Sequence, residues 1–145
     1  KPDIICLGKA IANGLPMGAM IANDTVIGAF SFGDHGTTFG GNPFCTAVAN
    51  TVLDIMIAKK MAKKAKSKGK YFIKKLKEIP GVEVRGCGLL IAIVSQNARE
   101  ECEKLIKEGV LALPTGENAI RFVPPLVISK EEIDKVVAAV GKARG

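Results

Sequence analysis

Lys9 is the first residue in the chain whose surroundings suggest chemistry. It stands alone between two short apolar runs, residues 4–7 and residues 17–22, which both read as fully buried strands. The segment joining them is small and Gly-rich: Asn13, Gly14, Leu15 and Pro16, then Gly18. A lysine between buried strands is costly unless it is paired or used. Two readings are open. Lys9 either begins an exposed loop and points into water, or its amine sits in a desolvated pocket. Desolvation favours the neutral amine, a nucleophile that condenses with carbonyl groups. Two further stretches carry candidate groups. Residues 33–44 read Gly-Asp-His-Gly-Thr-Thr-Phe-Gly-Gly-Asn-Pro-Phe. There Gly36, Gly40 and Gly41 let the backbone approach an anion closely. Thr37 and Thr38 read most simply as satisfying the loop's own backbone groups. Residues 114–126 read Pro-Thr-Gly-Glu-Asn-Ala-Ile-Arg-Phe-Val-Pro-Pro-Leu. The planar fork of Arg121 suits a bidentate pair with a carboxylate. The plainer alternative is a surface ion pair, but the stiff, partly apolar frame of Phe122, Val123, Pro124 and Pro125 favours a positioned guanidinium.

Taken together, these three stretches resemble the class III, or ω-amino, pyridoxal-phosphate aminotransferases, and most closely their acetylornithine and ornithine branch. In that family a lysine precedes a Gly-rich turn and Pro-x-Gly-Ala, and a His-Gly-(Ser/Thr)-Thr-(Phe/Tyr)-Gly-Gly-Asn-Pro segment follows. Both motifs occur here, and residues 114–126 look like the family's last substrate-binding strand. The resemblance implies that Lys9 binds the pyridoxal 5'-phosphate aldehyde and later moves a proton as general acid and base. It implies that Thr38 reaches the cofactor phosphate of a neighbouring subunit, so the enzyme is a homodimer with shared active sites. It implies that Arg121 binds a substrate carboxylate. His35 is expected to order its loop through a hydrogen bond and not to transfer protons. The implied reaction moves a terminal amino group from N-acetylornithine, or a related ω-amine, to 2-oxoglutarate, as in arginine biosynthesis. Ornithine δ-aminotransferase is the runner-up. 4-Aminobutyrate aminotransferase and glutamate semialdehyde aminomutase come lower.

The implied fold is mixed, α/β and α+β. The chain corresponds to the C-terminal part of a fold-type-I pyridoxal-phosphate transferase: the end of a large, mainly parallel-sheet domain with a linking helix over residues 1–59, then a small α+β domain over residues 60–145. The family's Asp for the pyridine nitrogen, its ring-stacking aromatic and its same-subunit phosphate loop all precede the lysine strand. Asp3 is too near Lys9 to take the first of these roles. The chain is therefore expected to be a fragment, inactive alone, whose C-terminal portion is the better ordered.

Composition narrows the other classes. The chain has 145 residues, of which 48% are hydrophobic, enough for a real core. No apolar run approaches the ~18 residues of a membrane helix. Cys6, Cys45, Cys87 and Cys102 form no C-x-x-C pair, and the lone His35 offers little for zinc. They read as reduced, mostly buried thiols of a cytosolic protein, with no metal expected. The net charge is +7, yet ten lysines and no acid lie between Lys59 and Lys77. The remainder holds eleven basic residues against fourteen acidic ones. One stretch thus supplies all the basicity. Nucleic acid is a tempting partner for it. Aromatics are scarce there and no nucleic-acid motif is visible, so a solvated helix face is the better reading. Neither nucleic acid nor membrane is expected as a partner. A non-catalytic basic binding module remains the alternative from another functional class.

The elements that must position these residues are set by local signals. Asn23 and Asp24 read as the cap of a short helix to about Ala29. Residues 31–41 read as loop. Asn42 and Pro43 start a helix whose apolar face is Cys45, Val48, Ala49, Val52 and Met56. A break is expected near residues 58–61, then a second helix to Lys77 with Tyr71, Phe72 and Leu76 inward, stopped by Pro80 and Gly81. Residues 82–85 and 89–94 read as strands joined by a tight turn over residues 86–88. Asn97 to Glu100 reads as a capping box for a helix that Gly109 ends. Residues 110–113 and 120–123 read as strands. Ser129 and Glu132 cap the last helix, with Ile133, Val136, Val137 and Val140 as its apolar stripe.

Overall fold

The computed structural model describes all 145 residues, and the chain divides into two compact units, Lys1–Lys59 and Lys60–Gly145. In the first unit, β1 (Ile4–Leu7) pairs antiparallel with β2 (Ala19–Ala22), with Ile4 opposite Ala22 and Leu7 opposite Ala19. Asn23 closes the pair and caps a short helix, α1 (Asp24–Ile27). Its Nδ2 donates to Asp3 Oδ1 at 2.7 Å, and its Oδ1 accepts from the Val26 N–H at 3.0 Å. A longer helix, α2 (Pro43–Ala58), starts at Asn42, whose Oδ1 accepts from the Phe44 and Cys45 N–H groups. Proline at the first helical position suits this start, since its missing donor would be idle there.

The two strands were expected to be buried, and within this chain they are not. Ile4, Ile5, Leu7, Met20 and Ile21 are each between 40% and 53% exposed. The reason is physical: a two-stranded sheet with no layer on either face has nothing to bury its side chains against. Only Ala12 and Ala49 are fully buried in this unit, where a 3-10 turn (Lys9–Ala12) rests on α2. Cys45, Val48 and Val52 are half-buried on that face of α2, while Met56 is exposed.

The second unit begins at Lys60, whose left-handed backbone (φ 50°) breaks the helical run between α2 and α3 (Met61–Lys77). Four antiparallel strands follow: β3 (Val84–Cys87), β4 (Leu90–Val94), β5 (Leu113–Thr115) and β6 (Ala119–Phe122), in the spatial order β3-β4-β6-β5. With α4 (Ala98–Lys107) and α5 (Lys130–Arg144) they complete the unit. Ile91 and Ile93 of β4 and Ile120 and Phe122 of β6 point to one face. There they meet Phe72 and Leu76 of α3, Leu105 of α4, and Ile133 and Val140 of α5. The Phe72 and Phe122 rings meet tilted, 5.9 Å apart. Each such buried side chain is worth about 1.5–3 kcal/mol. Polar ties close the unit. Tyr71 donates to Asp134 at 2.7 Å between α3 and α5. Arg144 Nε donates to Glu101 Oε2 at 2.9 Å, and Ser95 donates to Glu101 Oε1 at 2.7 Å.

Three local expectations shift. The β3–β4 turn is Gly88 and Leu89, because Cys87 already pairs with Leu90. Asn97 precedes α4 without a side-chain cap. Glu100 is drawn instead to Lys104 (3.1 Å), and Ser95 Oγ accepts the Asn97 N–H. Strand β5 starts only at Leu113. The reason is that Gly109 and Val110 donate to the Ile106 and Leu105 carbonyls, a Schellman ending that occupies the backbone after α4. By contrast, the Ser129–Glu132 capping box forms with both of its hydrogen bonds.

All four cysteines are free. Cys102 is buried and Cys45 half-buried, while Cys6 and Cys87 are exposed, which corrects the expectation of mostly buried thiols. Cys6 lies on the uncovered β1 and Cys87 at the end of β3. Burial pushes the Cys102 thiol up, and the charge of Glu101 adds to this. A maleimide at neutral pH should therefore label Cys87 quickly in the folded chain and reach Cys102 only on unfolding, as peptide mass spectrometry will show; equal native labelling contradicts it.

Gly69 sits buried in α3 against the β3–β4 turn, and a Cβ there would overlap the backbone of Gly88. Glycine is thus required for close approach of helix to turn. Alanine would gain ~1 kcal/mol of helix propensity, but overpacking against rigid backbone costs about 1–3 kcal/mol. Gly69→Ala should lower the urea midpoint followed by circular dichroism; an unchanged or raised midpoint refutes the close approach.

Candidate active site

Strand β1 ends at Leu7, directly before Gly8, and Lys9 then turns the chain with a left-handed backbone (φ 54°). Lysine is not a residue that tolerates this region well, and the cost is on the order of 1 kcal/mol or more. The turn is held by the Asn13 N–H donating to the Ala10 carbonyl at 3.0 Å, with Asn13 itself left-handed. Lys9 is exposed and makes no ion pair or hydrogen bond, and it borders a shallow cleft with Asn13, Gly14, Leu15, Pro16 and Met17. The desolvated surrounding expected on one reading of Lys9 is not formed by residues of this unit. What the unit does supply is an unpaired lysine just after a strand end, its backbone held in a left-handed turn.

The Gly-rich loop lies in the same unit, and it meets the segment after Lys9. Pro16, Met17 and Gly18 share a cavity with Thr37, Phe39, Gly40 and Gly41. Asp34 Oδ2 accepts the Ser31 N–H at 2.6 Å, and the Asn42 N–H donates to the Phe39 carbonyl at 3.3 Å. The hydroxyls of Thr37 and Thr38 make no hydrogen bond, unlike those of Thr46 and Thr51, which bond to helix carbonyls. The plain alternative for Thr38, service to its own loop, is therefore not realised. Space around Gly36 and Gly41 is open, so nothing within the chain demands glycine at 36. A free hydroxyl beside unobstructed backbone fits a phosphate approaching from outside the loop. His35 forms no hydrogen bond; the ordering role expected of it is taken by Asp34.

In the second unit, Arg121 stands between Ala92 of β4 and Leu113 of β5. Its neighbours Ile120 and Phe122 are buried on the core face, so Arg121 is on the opposite, exposed face. It makes no ion pair within this chain. Leu90, Leu113 and Val123 around it are all more than half exposed. The sequence alone did not reveal this aliphatic collar, because it depends on the register of three strands. No group of three or more His, Cys, Asp and Glu side chains is placed to hold a metal ion. No helix is long and apolar enough to cross a membrane.

Comparison with known proteins bears on these features. The family model described as "Aminotransferase class-III" matches residues 1–143. An ornithine aminotransferase of Geobacillus sp. (strain WCH70) is 46% identical over 146 residues, covering 97% of this chain and 37% of that protein. The solved acetylornithine aminotransferase of Elizabethkingia anophelis superposes with a TM-score of 0.90 at 37% identity, covering 99% of this chain and 40% of its own. An ornithine aminotransferase of Toxoplasma gondii, solved with partial occupancy of PLP at its active site, gives 0.89 at 35% identity, covering 98% and 36%. The mixed α/β architecture is that of these transferases. The chain spans little more than a third of the length of the relatives it matches.

Proposed function

We propose, because this chain belongs to the class-III aminotransferase family, that the whole protein is a pyridoxal-phosphate aminotransferase. In this reading it moves the terminal amino group of N-acetylornithine or ornithine to 2-oxoglutarate. The observation that carries the proposal is that one unit holds both an exposed, unpaired lysine just after a strand end and a Gly-rich loop whose Thr38 hydroxyl makes no hydrogen bond. The likeness to the Elizabethkingia enzyme favours the acetylated donor, and with it a place in arginine biosynthesis. The higher identity to the Geobacillus protein favours ornithine as the second reading. A cytoplasmic location accompanies either.

Pyridoxal phosphate, when bound, supplies an aldehyde that condenses with amines and a ring that accepts an electron pair. The chain's own residues do the rest. Lys9 Nζ would hold the cofactor and would carry the proton removed from the amine-bearing carbon. The left-handed turn at Lys9 sets the direction in which its side chain leaves the backbone. Thr38 offers its hydroxyl and N–H to the phosphate held by a second subunit, so the site is shared within a homodimer. The strong exposure of Phe39 and Phe44, which both follow Thr38, suits a surface that a second subunit covers. Arg121 grips a substrate carboxylate. Leu90, Leu113 and Val123 on the same face offer an aliphatic surface beside it. The reading of residues 1–59 as the end of the cofactor-binding domain with its linking helix, and of residues 60–145 as the small domain, belongs to the same proposal.

Two experiments on the whole protein test this. Borohydride reduction of the yellow holoenzyme should fix the cofactor on Lys9, and Lys9→Ala should abolish transamination. Lys9→Arg should not restore it, since a guanidinium stays protonated. Unchanged turnover in Lys9→Ala overturns the assignment. For Arg121→Lys, which keeps charge and loses the fork, kcat/KM should fall roughly tenfold to a hundredfold in both half-reactions, with cofactor absorbance intact. Values within twofold of the parent for donor and acceptor alike place the carboxylate site elsewhere.

A further inference from the structure

Helix α3 carries its lysines in a way that neither the fold nor the proposed chemistry uses. Lys63, Lys66, Lys70, Lys74 and Lys77 follow one another at spacings of three and four residues, so they form a single row. All five are exposed, and the opposite side of the helix is the buried one, with Met61, Gly69, Phe72 and Leu76. The row is ~21 Å long with an ammonium every ~4.5–6 Å. None of the five forms an ion pair; among the lysines of α3 only Lys75 does, with Glu78.

The same unit shows that this arrangement is not its general habit. Helix α4 has Glu100 and Glu101 in its first turn and Lys104 and Lys107 in its last. Helix α5 has Glu131 and Glu132 first, then Lys142 and Arg144. Both follow the helix dipole, and Glu100 pairs with Lys104 four residues on. Helix α3 has no acid in its first turn and begins with lysines at its positive end. Interspersed acids would keep the surface equally soluble with less repulsion. An external polyanion offsets the repulsion that the row maintains.

Against the solvated face expected from composition, we infer from this single unpaired row that it is a docking surface for the phosphate backbone of a nucleic acid, bound without regard to base sequence. Complementary charge in a straight line is what a sugar–phosphate strand presents, at one phosphate per ~3.4 Å of axis, and the flexible lysine stems absorb the difference in spacing. The row has no arginine fork or aromatic side chain to read a base. A membrane surface fits less well, because α3 exposes no large apolar side chain to enter lipid. An acidic protein partner fits less well too, since no apolar anchor lies beside the row.

Fluorescence anisotropy of a labelled 20-nucleotide single strand with the whole protein tests the inference. Binding in the micromolar range at 50 mM salt is expected, as for non-specific contacts, weakening with a log–log salt slope of about −3.5 for five lysines. Lys66→Gln/Lys70→Gln/Lys74→Gln should weaken binding at least tenfold and flatten the slope by about 2. A control of equal charge, Lys104→Gln/Lys107→Gln/Lys135→Gln, should change affinity less than threefold; circular dichroism monitors the fold of both. Absence of binding at 50 mM salt overturns the inference, as does equal loss in the two variants. It is overturned as well if phosphatidylserine vesicles or poly-glutamate bind as tightly as the oligonucleotide with the same dependence on the row.

Discussion

The geometry of the second unit depends on one constraint: its sheet is covered on one face only. Ile120 and Phe122 must enter the core beside Ile91 and Ile93, and the strict alternation of a strand then places Arg121 on the bare face. A slip of one residue in β6 would bury a guanidinium and expose two large side chains, so the register is strongly held. The strand neighbours on that face are Leu90, Ala92, Val94, Ala119, Leu113 and Thr115, with no carboxylate among them. An arginine so placed has its charge unspent within the chain. The burial that stabilises the unit is thus the same burial that presents its cation.

Much of this was legible in the sequence where the signal is local. Asn23, the Asn42–Pro43 pair and the Ser129–Glu132 box all cap helices as their chemistry dictates. The break between α2 and α3 and the outward aspect of Arg121 were also readable, one from helix length and the other from period-two alternation. The family motifs were legible as strings of residues, and the family model and the superpositions agree with them. What was not legible depends on competition between distant partners. Asn97 loses its capping box because Glu100 pairs forward with Lys104 and Glu101 is taken by Ser95 and Arg144. Strand β5 starts late because the glycine ending of α4 uses the next two N–H groups. The turn after β3 moved because pairing continues through Cys87. None of these outcomes can be read from composition within a short window.

Gly69 shows the same limit from another side. Within a lysine-rich helix it reads as a weak point, since glycine costs about 1 kcal/mol against alanine. In the fold it is the point where the helix backbone comes closest to the turn at Gly88, whose own backbone is left-handed (φ 57°). Two glycines far apart in sequence thus act as one contact. The approach sets how α3 lies on β3 and β4, and therefore which side of α3 carries the buried Phe72 and Leu76 and which carries the lysine row.

The first unit poses the opposite problem. Its strands hold the most apolar segments near Lys9, yet these remain about half exposed, and only two alanines are fully buried. Backbone geometry, not packing, fixes Lys9: an extended Gly8, a left-handed Lys9, and a turn closed by Asn13. Such a turn positions the backbone of Lys9 and leaves its side chain exposed. Nucleophilic reactivity of a lysine requires a neutral fraction, which desolvation or neighbouring positive charge provides. Within this unit nothing packs around Lys9 to provide either. The exposure of Ile4, Ile5, Met20 and Ile21 has the same cause: within this unit no layer covers the faces of β1 and β2.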